Sequence, residues 1–230
     1  MKNVAGRIWL SLFLLTVGLH LASLVWAGGL WTQVTKALLM PLLGIYAFSK
    51  QSHVSARVKG TLLLALGFSW LGDVLLLFTE SHFFIMGLGA FLLAHIVYIF
   101  SYGYASATYP LKKVWQRWWY YLPILGYGCS FSSYLLPQVP PEMLVPVAAY
   151  ALVIVTMLLA AAGRGKYTHP TSFILVTLGA VLFVISDSFI AVNKFVDPLP
   201  NASLLIMTTY ILGQWAITEG LLRHPSPVRP

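Results

Sequence analysis

Apolar runs of membrane-spanning length, about 20 residues each, alternate along this chain with short connections marked by polar residues, proline or glycine. Eight such runs lie at 7–26, 30–49, 60–78, 84–105, 118–136, 144–162, 172–193 and 202–222. The connections read "SKQSHVSARVKG", "TESHF", "PQVPPEM", "GRGKYTHP" and "FVDPLPN", and none is long enough to separate two domains. The pattern predicts an all-α polytopic membrane protein: one bundle of eight transmembrane helices over residues 1–222, followed by a short disordered cytoplasmic tail at 223–230. The first run could pass for a signal peptide, with Lys2 and Arg7 ahead of it and small residues at Ala27, Gly28 and Gly29. From Ile8 to Trp26 it is about 19 residues, long enough to span, so it is read as a retained first helix.

Composition agrees with the periodicity. Of the 230 residues, 59% are hydrophobic and 9% are charged. Soluble domains carry about 25% charged residues, so a soluble fold is excluded. The single cysteine, Cys129, permits no intrachain disulfide. Net charge is +8, and its placement changes what it means. Lys2, Arg7, Lys50, Arg57, Lys59, Lys112, Lys113, Arg117, Arg164, Lys166, Arg223 and Arg229 all fall on the side of the two termini; the opposite loops hold Lys194 alone. That asymmetry places both termini in the cytoplasm. The basic excess is a topology signal and a surface for anionic membrane lipids, and no nucleic-acid partner is expected. Trp26 and Trp31 would mark the outer interface; Trp115, Trp118, Trp119, Tyr120 and Tyr121 would mark the inner one. The location is integral and multi-pass, in the inner or plasma membrane if the cell is bacterial.

Against this apolar background a few polar positions need a reason. In "WLGDVLLLF", Asp73 is isolated among apolar residues, and in "VLFVISDSFIAV" so is Asp187. An ionised carboxylate in hydrocarbon costs several kcal/mol, about 3 or more, unless it is partnered. Lys36, Asp73, Asp187 and Tyr210 fall at similar depth, roughly 10 Å below the outer surface at 1.5 Å per residue. His95 and Gln214 lie near the middle of their helices, and Asn193 at the outer edge of its own. Gly87, Phe91, His95, Tyr98 and Tyr102 share one helical stripe, and Gly179, Phe183, Asp187 and Ile190 share another. These positions predict an outward-opening polar cavity that Lys36, Asp73, Asp187 and Tyr210 line together. Pro41 should free a backbone carbonyl near it.

Plainer readings exist for each residue. The aspartates could be structural partners of a lysine or a tyrosine hydroxyl. Lys36 could snorkel to the interface, and His95 could be a core histidine. Tyr98, Tyr210 and Gln214 could simply join helices. Glu219, near the inner end of its helix, reads as interfacial, and His20 has no visible partner. Familiar catalytic patterns are missing: there is no G-x-S-x-G, no H-E-x-x-H, no phosphate-binding loop, and too few membrane histidines for a three-histidine zinc site. Two carboxylates, a lysine and an imidazole remain. Paired carboxylates do acid/base work when their surroundings keep one neutral and the other charged.

The lysine of "TKALLMP", "LGD" at 71–73, "GLGAFLLAHIVY" at 87–98, "GAVLFVISD" at 179–187 and "YILGQ" at 210–214 together resemble the YhhN-like family of integral-membrane lysoplasmalogenases. One departure is that the family's lysine is often followed by proline, whereas Ala37 follows here and Pro41 comes later. The resemblance implies cleavage of the vinyl ether bond of a lysoplasmalogen to a fatty aldehyde and a glycerophospho-alcohol such as glycerophosphoethanolamine or glycerophosphocholine. It implies a lysophospholipid substrate, with no metal and no cofactor. Asp73 and Asp187 would be the catalytic pair, their acid and base roles unassigned. Lys36, His95, Tyr98, Asn193, Tyr210 and Gln214 would bind substrate or support the pair. A lipid or small-molecule transporter or flippase is the alternative, because it too would place ionisable groups in the outer half. A ligand-binding membrane receptor is a third class.

Overall fold

The computed structural model describes residues 2–26, 28–106, 118–165 and 168–224. Lys112, Lys113, Trp115, Arg117, Lys166 and the tail from 225 onward, Arg229 included, lie outside the described residues, as do the side chains of Lys2, Trp118 and Tyr120. The described chain is all-helical. Its α-helices are α1 (Lys2–Trp26), α2 (Gly29–Ser49), α3 (Ala56–Leu75), α4 (Ser81–Tyr104), α5 (Trp118–Leu135), α6 (Pro141–Ala162), α7 (Pro170–Phe195) and α8 (Ala202–Leu222). A single 3₁₀ turn at Leu136–Gln138 follows α5.

The breaks have local causes. Prolines at the first position start α6 and α7, where a missing N–H costs nothing. Ser55 caps α3, its side chain accepting from the Val58 N–H at 3.3 Å. Gly28 and Gly29, at φ 62° and 58°, make the tight turn between α1 and α2.

Five helical segments are long and apolar enough to cross a membrane: Val4–Trp26, Ala56–Leu75, Ser81–Tyr104, Pro141–Ala162 and Pro170–Phe195. Helices α2, α5 and α8 do not reach that standard. The shortfall of α8 has a physical reason: it is wrapped by its neighbours, with Tyr210, Gln214, Thr218 and Glu219 all buried. A helix enclosed by protein need not be apolar on every side.

Packing explains the enclosure. Around the bundle α1 packs on α2, α2 on α3, α3 on α4, α4 on α6, α6 on α7, α7 on α8, and α8 on α1, which closes a ring. Helix α8 also reaches α2 and α3, and α5 lies outside against α6 and α7. The tightest seam joins α7 to α8. A Cβ built on Gly179 would stand 2.7 Å from the Gly213 carbonyl oxygen, and one on Gly213 would stand 3.0 Å from the Gly179 carbonyl oxygen. Only glycine permits this approach, the small-residue contact that membrane helices use in place of hydrophobic drive. It brings Phe183 of α7 against Tyr210 of α8, with ring centroids 5.4 Å apart.

Candidate active site

Asp73 lies in the last turn of α3. The helix stops at Leu75, three residues before the 78 that the hydrophobic pattern suggests. A carboxylate near a helix carboxyl end is electrostatically unfavourable, so it needs compensation from elsewhere. Two groups provide it. Lys36 Nζ of α2 stands 3.8 Å from Asp73 Oδ1. The Tyr210 hydroxyl of α8 donates to Asp73 Oδ2 at 2.6 Å. The Asp73 side chain is 3% exposed and that of Lys36 15%, so this ion pair sits largely inside the protein. Pro41 leaves the Ala37 carbonyl without its helical donor, and the Trp70 indole Nε1–H supplies one at 3.0 Å. The freed carbonyl thus clamps α2 to α3 beside the Lys36–Asp73 pair.

One helical turn deeper the pattern repeats. Gln214 accepts from the Tyr98 hydroxyl at 2.5 Å and donates from Nε2 to Ser69 Oγ at 2.9 Å. Ser69 and Asp73 are four apart on α3, as Tyr210 and Gln214 are on α8. Helices α3, α4 and α8 are therefore joined by a buried polar ladder that ends at Asp73.

Asp187 is held differently. The Tyr150 hydroxyl of α6 donates to its Oδ2 at 2.5 Å, and no cation pairs with it among the described residues. His95 is fully buried, and neither ring nitrogen has a hydrogen-bond partner. Its ring lies edge-on to Tyr150 at 5.3 Å and to Phe183 at 4.7 Å between centroids. Phe91, Phe183 and Tyr210 pack edge-to-face on one another, at 5.4 to 6.4 Å. An aromatic wall thus separates the Asp73 cluster from the Asp187 cluster.

Beside Asp187 opens a cavity whose empty space, open solvent at its mouth included, is about 770 Å³. It lies among α4, α5, α6 and α7 and is almost wholly apolar, with Phe84, Leu88, Phe131, Val147, Ile154 and Val155 in its walls. Its polar groups are few: Asp187, Tyr150, Ser132 and the Tyr127–Ser188 pair, whose hydroxyls are 2.6 Å apart. Lys36, Asp73, Asp187 and Tyr210 do not line this cavity together. Of these four only Asp187 lines the space, because Phe91 and Phe183 pack against Tyr210 and close off the Asp73 side.

The structure thus brings Lys36, Asp73, Tyr98, Tyr210 and Gln214 into one network and sets His95 against Asp187's partner Tyr150. Asn193 stands apart. It is exposed, and its Oδ1 accepts the Leu199 N–H at 2.9 Å, which shapes the turn after α7. Sequence reasoning passed over Tyr150 and the cavity-facing stripes. Tyr127, Gly128, Phe131, Ser132 and Leu135 follow helical spacing on α5, as Val147, Tyr150, Ala151, Ile154 and Val155 do on α6. That spacing marks one face of each helix but does not tell a cavity from core or lipid. Glu219, expected at the interface, is 2% exposed. Lys50 Nζ reaches its two oxygens at 2.7 and 2.6 Å, Arg223 Nε donates at 3.0 Å, and the Tyr46 hydroxyl donates as well. His20 also has a partner, Thr35 Oγ1 at 2.9 Å from Nδ1.

Among the described residues no group of three or more His, Cys, Asp or Glu side chains is placed to hold a metal ion. A model of the YhhN family matches residues 31–221. Lysoplasmalogenase TMEM86B of Homo sapiens is 32% identical over 219 residues, covering 95% of this chain and 88% of the relative. The Sus scrofa protein of the same name is 32% identical over 94% of this chain and 88% of its own length. Lysoplasmalogenase TMEM86A of Bos taurus is 27% identical over 77% of this chain and 70% of its own. No solved structure matches.

Proposed function

The chain belongs to the YhhN family, and from that premise we propose that it is a lysoplasmalogenase whose proton donor is Asp187. It is an integral, multi-pass membrane protein. We further read all eight helices as spanning, with both termini cytoplasmic. The Lys/Arg asymmetry of the loops supports that reading. So does the enclosure of α8, which frees it from the need to be apolar all round.

The observation that carries the mechanism is the contrast between the carboxylates. Asp73 has a lysine at 3.8 Å and no access to the cavity. Asp187 has a tyrosine hydroxyl, no cation, and a place in the cavity wall. A carboxyl without a counter-charge in an apolar wall is cheapest in its neutral form, the form that can give up a proton. Asp187 then protonates the β-carbon of the vinyl ether, leaving an oxocarbenium ion. The Asp187 carboxylate takes a proton from water as the water adds to that cation. The hemiacetal collapses to aldehyde and glycerophospho-alcohol, and the acid is restored. Asp73 remains charged beside Lys36 and favours the developing cation through space. The apolar cavity takes the single alkenyl chain. Lys194 Nζ, 5.0 Å from the Phe84 ring centroid, stands next to cavity residues Phe84 and Phe195, where it can meet the headgroup phosphate.

Purified protein in detergent should release fatty aldehyde from a lysoplasmalogen and none from the matching saturated ether lysolipid, whose bond cannot be protonated at carbon. Asp187→Asn should lower turnover by at least about 10²-fold, the scale for a positioned acid. Near wild-type turnover of that variant would refute the assignment. No aldehyde from the wild type under any condition would return the reading to a transporter, because detergent leaves no compartment to transport across.

A further inference from the structure

At the other end of the bundle from the cavity lies a buried cation with no counter-charge. Arg164 follows the end of α6 and is fully buried. Its Nη2 donates to Ser172 Oγ at 3.1 Å. Its Nε and Nη1 have no hydrogen-bond partner. The Tyr102 ring lies 5.7 Å from the guanidinium carbon. That contact supplies no hydrogen-bond acceptor to Nε or Nη1. No carboxylate pairs with Arg164 among the described residues; Glu219 is taken by Lys50 and Arg223. A buried guanidinium with one hydrogen bond and no charge partner is among the costlier states a side chain can adopt.

The surroundings make the imbalance larger. Ser172 is in the first turn of α7, which begins at Pro170 and has no side-chain cap. That end of the helix carries partial positive charge and backbone N–H groups without helical acceptors. His224, just past α8, has a buried Nδ1 with no partner. Burial first, then the nearby Arg164 and His169, hold its imidazole below the ordinary histidine value. Guanidinium, helix amino end and two imidazoles converge, and among the described residues no carboxylate pairs with them. Helix amino ends paired with a forked guanidinium are how proteins hold phosphate.

We propose that Arg164, Ser172 and the amino end of α7 form a binding site for a phosphate group, distinct from the cavity that holds Asp187. Ser172 and Asp187 are on the same helix, separated by about 22 Å at 1.5 Å per residue. Gly165 and His169, exposed on the loop between Arg164 and α7, give the approach. The basic side of the chain is the one that meets anionic lipid headgroups, so the phosphate belongs either to such a headgroup or to a free phosphate.

Thermal unfolding of the full chain separates these cases. One arm titrates inorganic phosphate against chloride at constant ionic strength in a neutral detergent. The other adds phosphatidylglycerol, or uncharged diacylglycerol of the same chains as the phosphate-free control, to that same neutral detergent. Wild type should unfold at higher temperature in at least one arm: with phosphate if the ligand is the free anion, with phosphatidylglycerol alone if it is the headgroup. Arg164→Met should lose that response while being no less stable than wild type where no phosphate is offered, because it removes an unpaired charge. Ser172→Ala should fold and weaken the response about tenfold, the size of one charge-assisted hydrogen bond. No shift of wild type in either arm would overturn the site. So would equal responses of wild type and Arg164→Met, or, if Arg164→Met does not fold, an unchanged response in Ser172→Ala.

Discussion

The pair Lys36 and Asp73 makes a prediction in which stability and activity part company. Asp73 is 3% exposed and Lys36 15%, with 3.8 Å between nitrogen and oxygen. Removing one partner of a buried pair strands the other, at a cost of about 3–5 kcal/mol. Lys36→Met leaves a carboxyl near the carbonyl end of α3 with only Tyr210 to hold it, and should pay most of that amount. Asp73→Asn keeps volume and can keep the Tyr210 bond, and the remaining ammonium can turn toward water, so its cost should be near 1–2 kcal/mol, about that of a lost charged hydrogen bond. The double variant strands nothing and should return to within about 1 kcal/mol of wild type.

At about 2–4 °C per kcal/mol for a chain of this size, Lys36→Met should unfold about 6–20 °C early, and the double variant near the wild-type temperature. Activity should follow a different order. Asp73→Asn and the double variant should both lose at least about 10²-fold in aldehyde release, because the negative charge that favours the oxocarbenium ion is gone in each. The measurements are intrinsic-fluorescence melting and aldehyde release on the same detergent preparations. Additive stability costs in the double variant would show that the two side chains do not work as a pair. A double variant that regained activity with its stability would remove Asp73 from the chemistry.

Two further outcomes test the cavity side. Tyr150→Phe deletes the hydroxyl that donates to Asp187 but keeps the ring against His95; it should cost about 1 kcal/mol of stability and lower turnover about tenfold, both read on the same preparations. Ala151→Phe places a ring inside the cavity and should raise KM for long-chain lysoplasmalogens more than for short-chain ones, with the saturated ether analogues as competitive probes of the same slot.

Which parts of this were legible in the sequence follows from what each residue costs. Asp73, Asp187 and Lys36 stand out because an ionisable group in an apolar run is expensive and so must have a reason. Their helices, the stripe from Gly87 to Tyr102 and the carbonyl freed by Pro41 could all be read from spacing. Tyr150 could not, because a tyrosine in "VAAYALV" costs little and looks like any helix-joining aromatic. The cavity was hidden for the same reason. An apolar stripe on α5 or α6 reads alike whether it faces lipid, core or an empty slot. Glu219 was misread because its position near the end of α8 says nothing about what surrounds that end. Its burial depends on α1, α2 and α7 closing around α8, and that rests on contacts between distant segments such as Gly179 and Gly213.

That closure also explains why the two carboxylates sit in such different company. Tyr210, Gln214 and Thr218 follow one another at every fourth residue of α8, and Glu219 adjoins them. A helix that polar is tolerated only where protein surrounds it, so the polar ladder and the Glu219 clamp occupy the packed side of the bundle. Helix α5, outside the ring, leaves a gap against α4, α6 and α7 that only apolar side chains line well. A one-chain lipid needs such a gap, and a charged carboxylate needs the packed side. Asp187 lies where the two meet. From α7 it faces the gap through its own side chain and the packed side through Phe183, one turn away. The proposed proton donor must reach the slot from a position near the packed side, and Asp187, in the cavity wall with Phe183 one turn away against Tyr210, is placed to do so.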